Sequence, residues 1–431
     1  MRRVLFASLV AAGCTTSSSS PTPPAPSNLQ MNDLSVMMPL PQSDAELAAW
    51  MAPTSPGVGG AILPDSIITT VPIGIDTTSL RVAAFRLDPC FGALGSAIDD
   101  ATCQNQLRIV WEPMFAEDQN GVTPDGAGSG SGSAVTPAVS VADAALHAFY
   151  SISRDQLLSL VNEIVDARVA DGGDHDLGPL APNPIIASEG LSGTLAQSYA
   201  SILGRYAGGA NLVRVTFFEV EAVDGIAGGS GGQNPIGGGE FWELNSFNVA
   251  DGSATPRAIP TLMPQDGVPD GGSDVQNGMS LSASLDPLES SGSPGTTSND
   301  NIALLESTIE AGSAAKSDVQ AAFDSALRIE NPHDNSPDTI DCASCHLAQP
   351  ALQLVGAPLG MSATGDANAF VPDSRIPVAD LAQTTSLDSD GILNIHAFSY
   401  RDVQPMINQR VINETAANWA YIEKLTGGSS E

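Results

Sequence analysis

Cys342, Cys345 and His346, in the run Cys342-Ala343-Ser344-Cys345-His346, have the residue types and spacing to hold a haem covalently. Two cysteines three positions apart can each form a thioether to one haem vinyl group. The histidine directly after them is placed to ligate the iron from the proximal side. The chain has only 5 Cys and 5 His among 431 residues, so the pattern is not a by-product of a composition rich in either. The competing reading is a local Cys342–Cys345 disulfide, or a reactive thiol pair, with a histidine beside it by coincidence. The spacing therefore predicts one covalent haem c, bound by Cys342, Cys345 and His346, and says redox cofactor without naming a reaction.

The C-terminal run 413–425, Asn-Glu-Thr-Ala-Ala-Asn-Trp-Ala-Tyr-Ile-Glu-Lys-Leu, resembles the final helix of monohaem class I cytochromes c. The resemblance covers residues 313–431, about a quarter of the chain, and rests on one specific motif and one softer one. It implies a small, mainly helical module and a distal methionine late in the chain. Met406 stands 60 residues after His346 and shortly before the terminal helix, where such a ligand is expected. A thioether there would favour the ferrous state and raise the potential. His396 is the alternative and would give a bis-histidine site of lower potential. Met361 and His333 are further candidates, and an open iron is the remaining possibility. One departure from the family is plain: the prolines at 332 and 337 would end any helix running into the first haem cysteine.

Stepping from the motif to what must position it, residues 58–287 read as an α+β domain, since strand-like and helical runs do not alternate regularly. Residues 67–75, 80–91, 107–114 and 212–220 are rich in β-branched and apolar residues and are expected as strands. Ser153-Arg154-Asp155-Gln156 has the form of a capping box opening a helix, and 195–206 is a second amphipathic helix before Gly208-Gly209. His147 falls in an Ala/Leu run expected to be helical, as a partly buried structural histidine. His175, between two aspartates, is expected on a surface loop.

Residues 288–312 read as a linker leading into a helix. Residues 301–329 have helical spacing, with a break near 311–315. Glycine-rich tracts at 126–132 and 225–239 lack the Gly and Lys spacing that grips a phosphate. The acidic turns at 266–274 and 388–391 do not complete a calcium loop, so calcium is not expected.

The N-terminus predicts export. Residues 1–13 have a short basic start and a brief apolar stretch, and Ala11-Ala12-Gly13-Cys14 resembles the lipobox of bacterial lipoproteins, although that family usually has Leu where Ala11 stands. The resemblance implies cleavage before Cys14 and a lipid on that residue. An ordinary signal peptide cut near Ala12 is the alternative. The Ser/Thr/Pro-rich residues that follow read as a tether, taken as 14–57, holding the folded part off a membrane surface in the periplasm or at the outer membrane. In that oxidising setting Cys90 and Cys103 would pair, closing a short loop worth about 3 kcal/mol.

A net charge of −33 excludes nucleic acid as a partner and would steer a basic redox protein toward the surface. The function this implies is electron transfer by a membrane-anchored c-type cytochrome. Two alternatives remain open: a haem-dependent oxidoreductase or peroxidase with an open iron, or a haem-free binding lipoprotein with a Cys342–Cys345 disulfide. The enzyme reading is weakened by the single attachment motif, because peroxidases with c-type haem generally carry two.

Overall fold

The computed structural model describes residues 28–71, 76–91, 104–116, 139–221, 241–259, 278–282, 308–335, 342–373, 375–382 and 396–426. Among them is a nine-stranded, wholly antiparallel sheet. Its strands are β1 (Ser35–Met37), β2 (Leu80–Phe91), β3 (Gln104–Ala116), β4 (Val139–Val141), β5 (Ala144–Ser151), β6 (Leu212–Glu221), β7 (Phe241–Ala250), β8 (Ser253–Pro256) and β9 (Gly278–Ser282). The spatial order is β1-β2-β3-β5-β6-β7-β8, with β4 also on β3 and β9 also on β7. The five longest described helices are α1 (Arg154–Ala170), α2 (Thr194–Tyr206), α3 (Lys316–Glu330), α4 (Cys342–Ala351) and α5 (Gln409–Leu425). The fold is mixed α+β.

Alternation along the strands sends side chains to two apolar faces. Phe85, Ile109, Trp111, Leu146, Tyr150 and Phe217 face α1 and α2, where Leu157, Leu160, Ile164, Tyr199 and Leu203 meet them. Ala84, Val110, Ala145, Phe218 and Leu244 face the other way and share a core with Phe323 and Leu327 of α3, Leu347 of α4, and Val411 and Ile412 of α5. The sheet is thus covered by helices on both sides. This corrects the division into a domain at 58–287 and a separate module at 313–431. A sheet apolar on both faces must be covered twice, and the C-terminal helices supply the second cover.

The tether also ends earlier than residue 57. Ser35, Val36 and Met37 pair with Arg86, Phe85 and Ala84 of β2. Buried Asp33 accepts two hydrogen bonds from Arg168 of α1, at 2.7 and 2.9 Å. Leu34, Val36 and Met38 are buried in the core on the α1/α2 side of the sheet, which is why this segment packs with the folded part.

Local signals held where they were strong. Ser153 caps α1, its side chain accepting from the Gln156 N–H while the Gln156 side chain accepts from the Ser153 N–H. α2 ends at Tyr206, just before the glycine pair. A short helix at Thr308–Ser313 and α3 are separated at 314–315, within the expected break. Two expectations failed. Asp65–Ile68 is a short helix rather than the start of a strand. Ala144–Ser151, which contains His147, is a strand because it lies between β3 and β6 and completes both ladders. Here tertiary pairing overrides alanine's helix propensity.

Candidate functional site

α4 begins at Cys342, so Cys342, Cys345 and His346 occupy positions i, i+3 and i+4 on one helix face. All three line one cavity of about 90 Å³. No disulfide joins the two cysteines, which are half-buried thiols. The opposite wall is the sheet face, and strand register sets its side chains in rows. One row runs Arg86, Arg108, Phe149, Arg214 across β2, β3, β5 and β6. The next runs Ala84, Val110, His147, Thr216, Ser246 from β2 to β7. The third places Ala145, Phe218 and Leu244 side by side. Successive rows are two residues apart along each strand, roughly 7 Å.

The wall's electrostatics run against the chain's overall charge. Five of its arginines (Arg86, Arg108, Arg214, Arg257 and Arg410) line the cavity, with Glu414 the one lining carboxylate among the described residues. Arg86 bonds Asp88 at 2.7 Å and pairs with Glu414, Arg410 bonds Glu414 at 2.8 Å, and Arg108 stands 2.9 Å from Asp88. Burial works against ionised Glu414, but Arg86, Arg410 and Arg108 outweigh it and hold the carboxyl down at about 2. Burial first, then the neighbouring Arg86, lowers the Arg108 guanidinium. Arg108 and Arg214 also stack over the Phe149 ring, at 4.8 and 5.4 Å.

His147 was expected to be a structural histidine in a helix. It stands instead in the middle of the second row and lines the cavity. Burial first, then nearby Arg108 and His346, push its imidazole well below its usual range. Phe218 meets the His346 ring edge-on at 6.0 Å and the His396 ring at 4.8 Å.

The two sequence-predicted distal ligands are placed elsewhere. The described residues include a hairpin of β10 (Phe398–Arg401) and β11 (Gln404–Ile407), in which Met406 faces Ser399 and Ile407 faces Phe398. Directly opposed residues share a face, and neighbours along a strand do not. Phe398 lines the cavity, so Met406 points to the other side of the hairpin. His396 is buried with its ring committed. Its Nδ1 lies 2.7 Å from Ser399 Oγ and 3.6 Å from Glu112 Oε1, and its Nε2 bonds Asp143. Burial opposes its charge, but Asp143 and then Glu112 overcome this and push it up to about 9. The Tyr400 N–H donates to Glu112 at 2.8 Å. Ser399, His396 and Asp143 have the residue types of a hydrolytic triad, yet Ser399 is 1% exposed and His396 3%, so no substrate carbonyl can reach the hydroxyl.

Of the remaining candidates, His333 is exposed beside Phe370, at 5.4 Å between ring centroids, and Met361 is partly buried against the second core. His175 is exposed, as expected. Cys14, Cys103, the side chain of Cys90, both glycine-rich tracts and both acidic turns lie outside the described residues. Among the described residues no group of three or more His, Cys, Asp or Glu side chains is arranged to hold a bare metal ion, and no helix is long and apolar enough to cross a membrane. His147 and the arginines escaped sequence reasoning because they come from six separate segments. The signal available was a polar side chain inside an otherwise apolar strand: Arg108, then His147, then Arg214 and Thr216 two apart.

A haem would need two reachable thiols, an imidazole beside them, apolar walls, and cations for its two carboxylates. Cys342, Cys345 and His346 supply the first two. Val110, Phe149, Ile259, Phe398 and Val411 supply the walls, and the arginines the last. The residues therefore fit the group. No protein-family model, no curated protein and no solved structure matches this chain.

Proposed function

We propose that the protein is a c-type cytochrome that carries one covalently bound haem for electron transfer, anchored to a membrane surface through a lipid on Cys14. The observation that carries this reading is the convergence of Cys342, Cys345 and His346 from one helix face into a single arginine-lined cavity. When bound, the haem supplies an iron that accepts and releases one electron. The chain's own residues do the rest. The cysteines would hold the group covalently, and His346 would offer it an imidazole nitrogen. The arginines offset carboxylates that the −33 chain would otherwise repel. Apolar side chains limit water near the group and so influence its potential. In this reading the expected cytochrome-like module would comprise α3 to α5, which pack against the sheet, and the acidic surface would steer a basic redox partner.

The reduced pyridine haemochrome spectrum tests the reading, using the full chain with its leader in a host that matures c-type cytochromes. One haem per chain, with the band position of two thioether links, is expected. Cys345→Ala should abolish the doubly linked species. A colourless wild-type chain, with maturation verified on a control cytochrome, sinks the proposal and leaves a haem-free binding lipoprotein. A second reading, an oxidoreductase with an open iron, is favoured by one observation: neither Met406 nor His396 lines the cavity.

A further inference from the structure

We propose that His147 would offer the haem iron a second imidazole, presented by the sheet face opposite the helix that carries His346. This rests on the haem reading above and names the residue that completes its coordination.

Four observations point to His147. It lines the same cavity as His346 but comes from the other wall, so the two imidazoles approach the space from different elements. The described residues flanking it in its row are Ala84, Val110, Thr216 and Ser246, all smaller than an imidazole. Phe218 lies one row away on the adjacent strand, roughly 7 Å along the sheet, and its ring touches that of His346 at 6.0 Å. The two histidines therefore meet the cavity at neighbouring points. Finally, the ring of His147 makes no hydrogen bond among the described residues, and its aromatic contact is with Phe149, at 6.4 Å between centroids. His147 is only partly buried and lines the cavity, so an imidazole nitrogen can face the bound group. A metal–nitrogen bond there would displace no protein partner from the ring, and an unprotonated ring nitrogen is the ligating atom. His396, by contrast, already has both ring nitrogens engaged.

The test is the spin state of the ferric iron, read by electron paramagnetic resonance and optical spectra on the matured full chain. Wild type should be low-spin and six-coordinate with two nitrogen ligands, lacking the near-infrared band of a thioether–iron bond. His147→Ala should keep its covalent haem but become high-spin, and added imidazole should restore the low-spin form. His147→Met keeps the side-chain volume and guards against misfolding. It should remain low-spin, acquire the thioether band and shift the potential upward. Low-spin spectra unchanged in His147→Ala overturn the assignment, as does conversion to high spin in Met406→Ala or a wild-type iron that is already five-coordinate. A chain with no covalent haem overturns the haem reading together with this ligand. Haem present with spin indifferent to residue 147 overturns the ligand alone.

Discussion

The Arg86 guanidinium of β2 forms a buried ion pair with Glu414 of α5, fastening the sheet to the last helix of the chain beside the cavity. Glu414 also accepts from Arg410, and Arg86 also binds Asp88. Glu414→Gln would leave these cations buried with Asp88 as their remaining described carboxylate. Breaking such a pair from one side costs about 3–5 kcal/mol. Urea unfolding should show that loss, and a change under about 1 kcal/mol would mean the network is open to solvent.

The same carboxylate predicts an acid limb. Its folded pKa of about 2 lies below the ordinary 4.5, so its stabilisation is present above 4.5 and disappears as pH falls toward 2. Wild-type unfolding free energy should fall steeply across that window, and Glu414→Gln should show a shallower fall.

His396 predicts a limb of opposite sign. Its pKa rises from 6.5 to about 9 on folding, so its stabilisation is complete below 6.5 and is lost as pH rises through 9. The stability gap between wild type and His396→Gln should be widest near pH 6 and shrink above pH 9. A gap that grows with pH would show that the ring is buried neutral.

Asp33 and Arg168, both with side chains 0% exposed, tie the segment before β1 to α1. Asp33→Ala would strand the guanidinium and should lower stability by about 3–5 kcal/mol. It should also open residues 28–51 to limited proteolysis. Wild-type cleavage within 34–38 under native conditions would show that this segment is a tether after all.

Phe218 sits between His346 and His396, edge-on to each and 3% exposed. Phe218→Ala should cost about 3–5 kcal/mol through the cavity it leaves. Phe218→Leu should recover most of that, which a denaturant series can resolve.

The elements legible in the sequence were those defined by residues close together along it. The capping box of α1, the apolar period of α3, the glycine stop after α2 and the terminal helix each depend on contacts a few positions apart. The motif itself belongs to this class, because helical spacing alone puts Cys342, Cys345 and His346 on one face. What surrounds that face was not local. Ala144–Ser151 is a strand because two neighbouring strands complete its hydrogen bonds, and that pairing turned His147 toward the cavity. The burial of Leu34, Val36 and Met38 and the engagement of His396 by Asp143 likewise follow from long-range contacts. Local sequence thus determined which side chains could bind a haem. Sheet register, which depends on partners tens of residues away, decided which of them share one cavity.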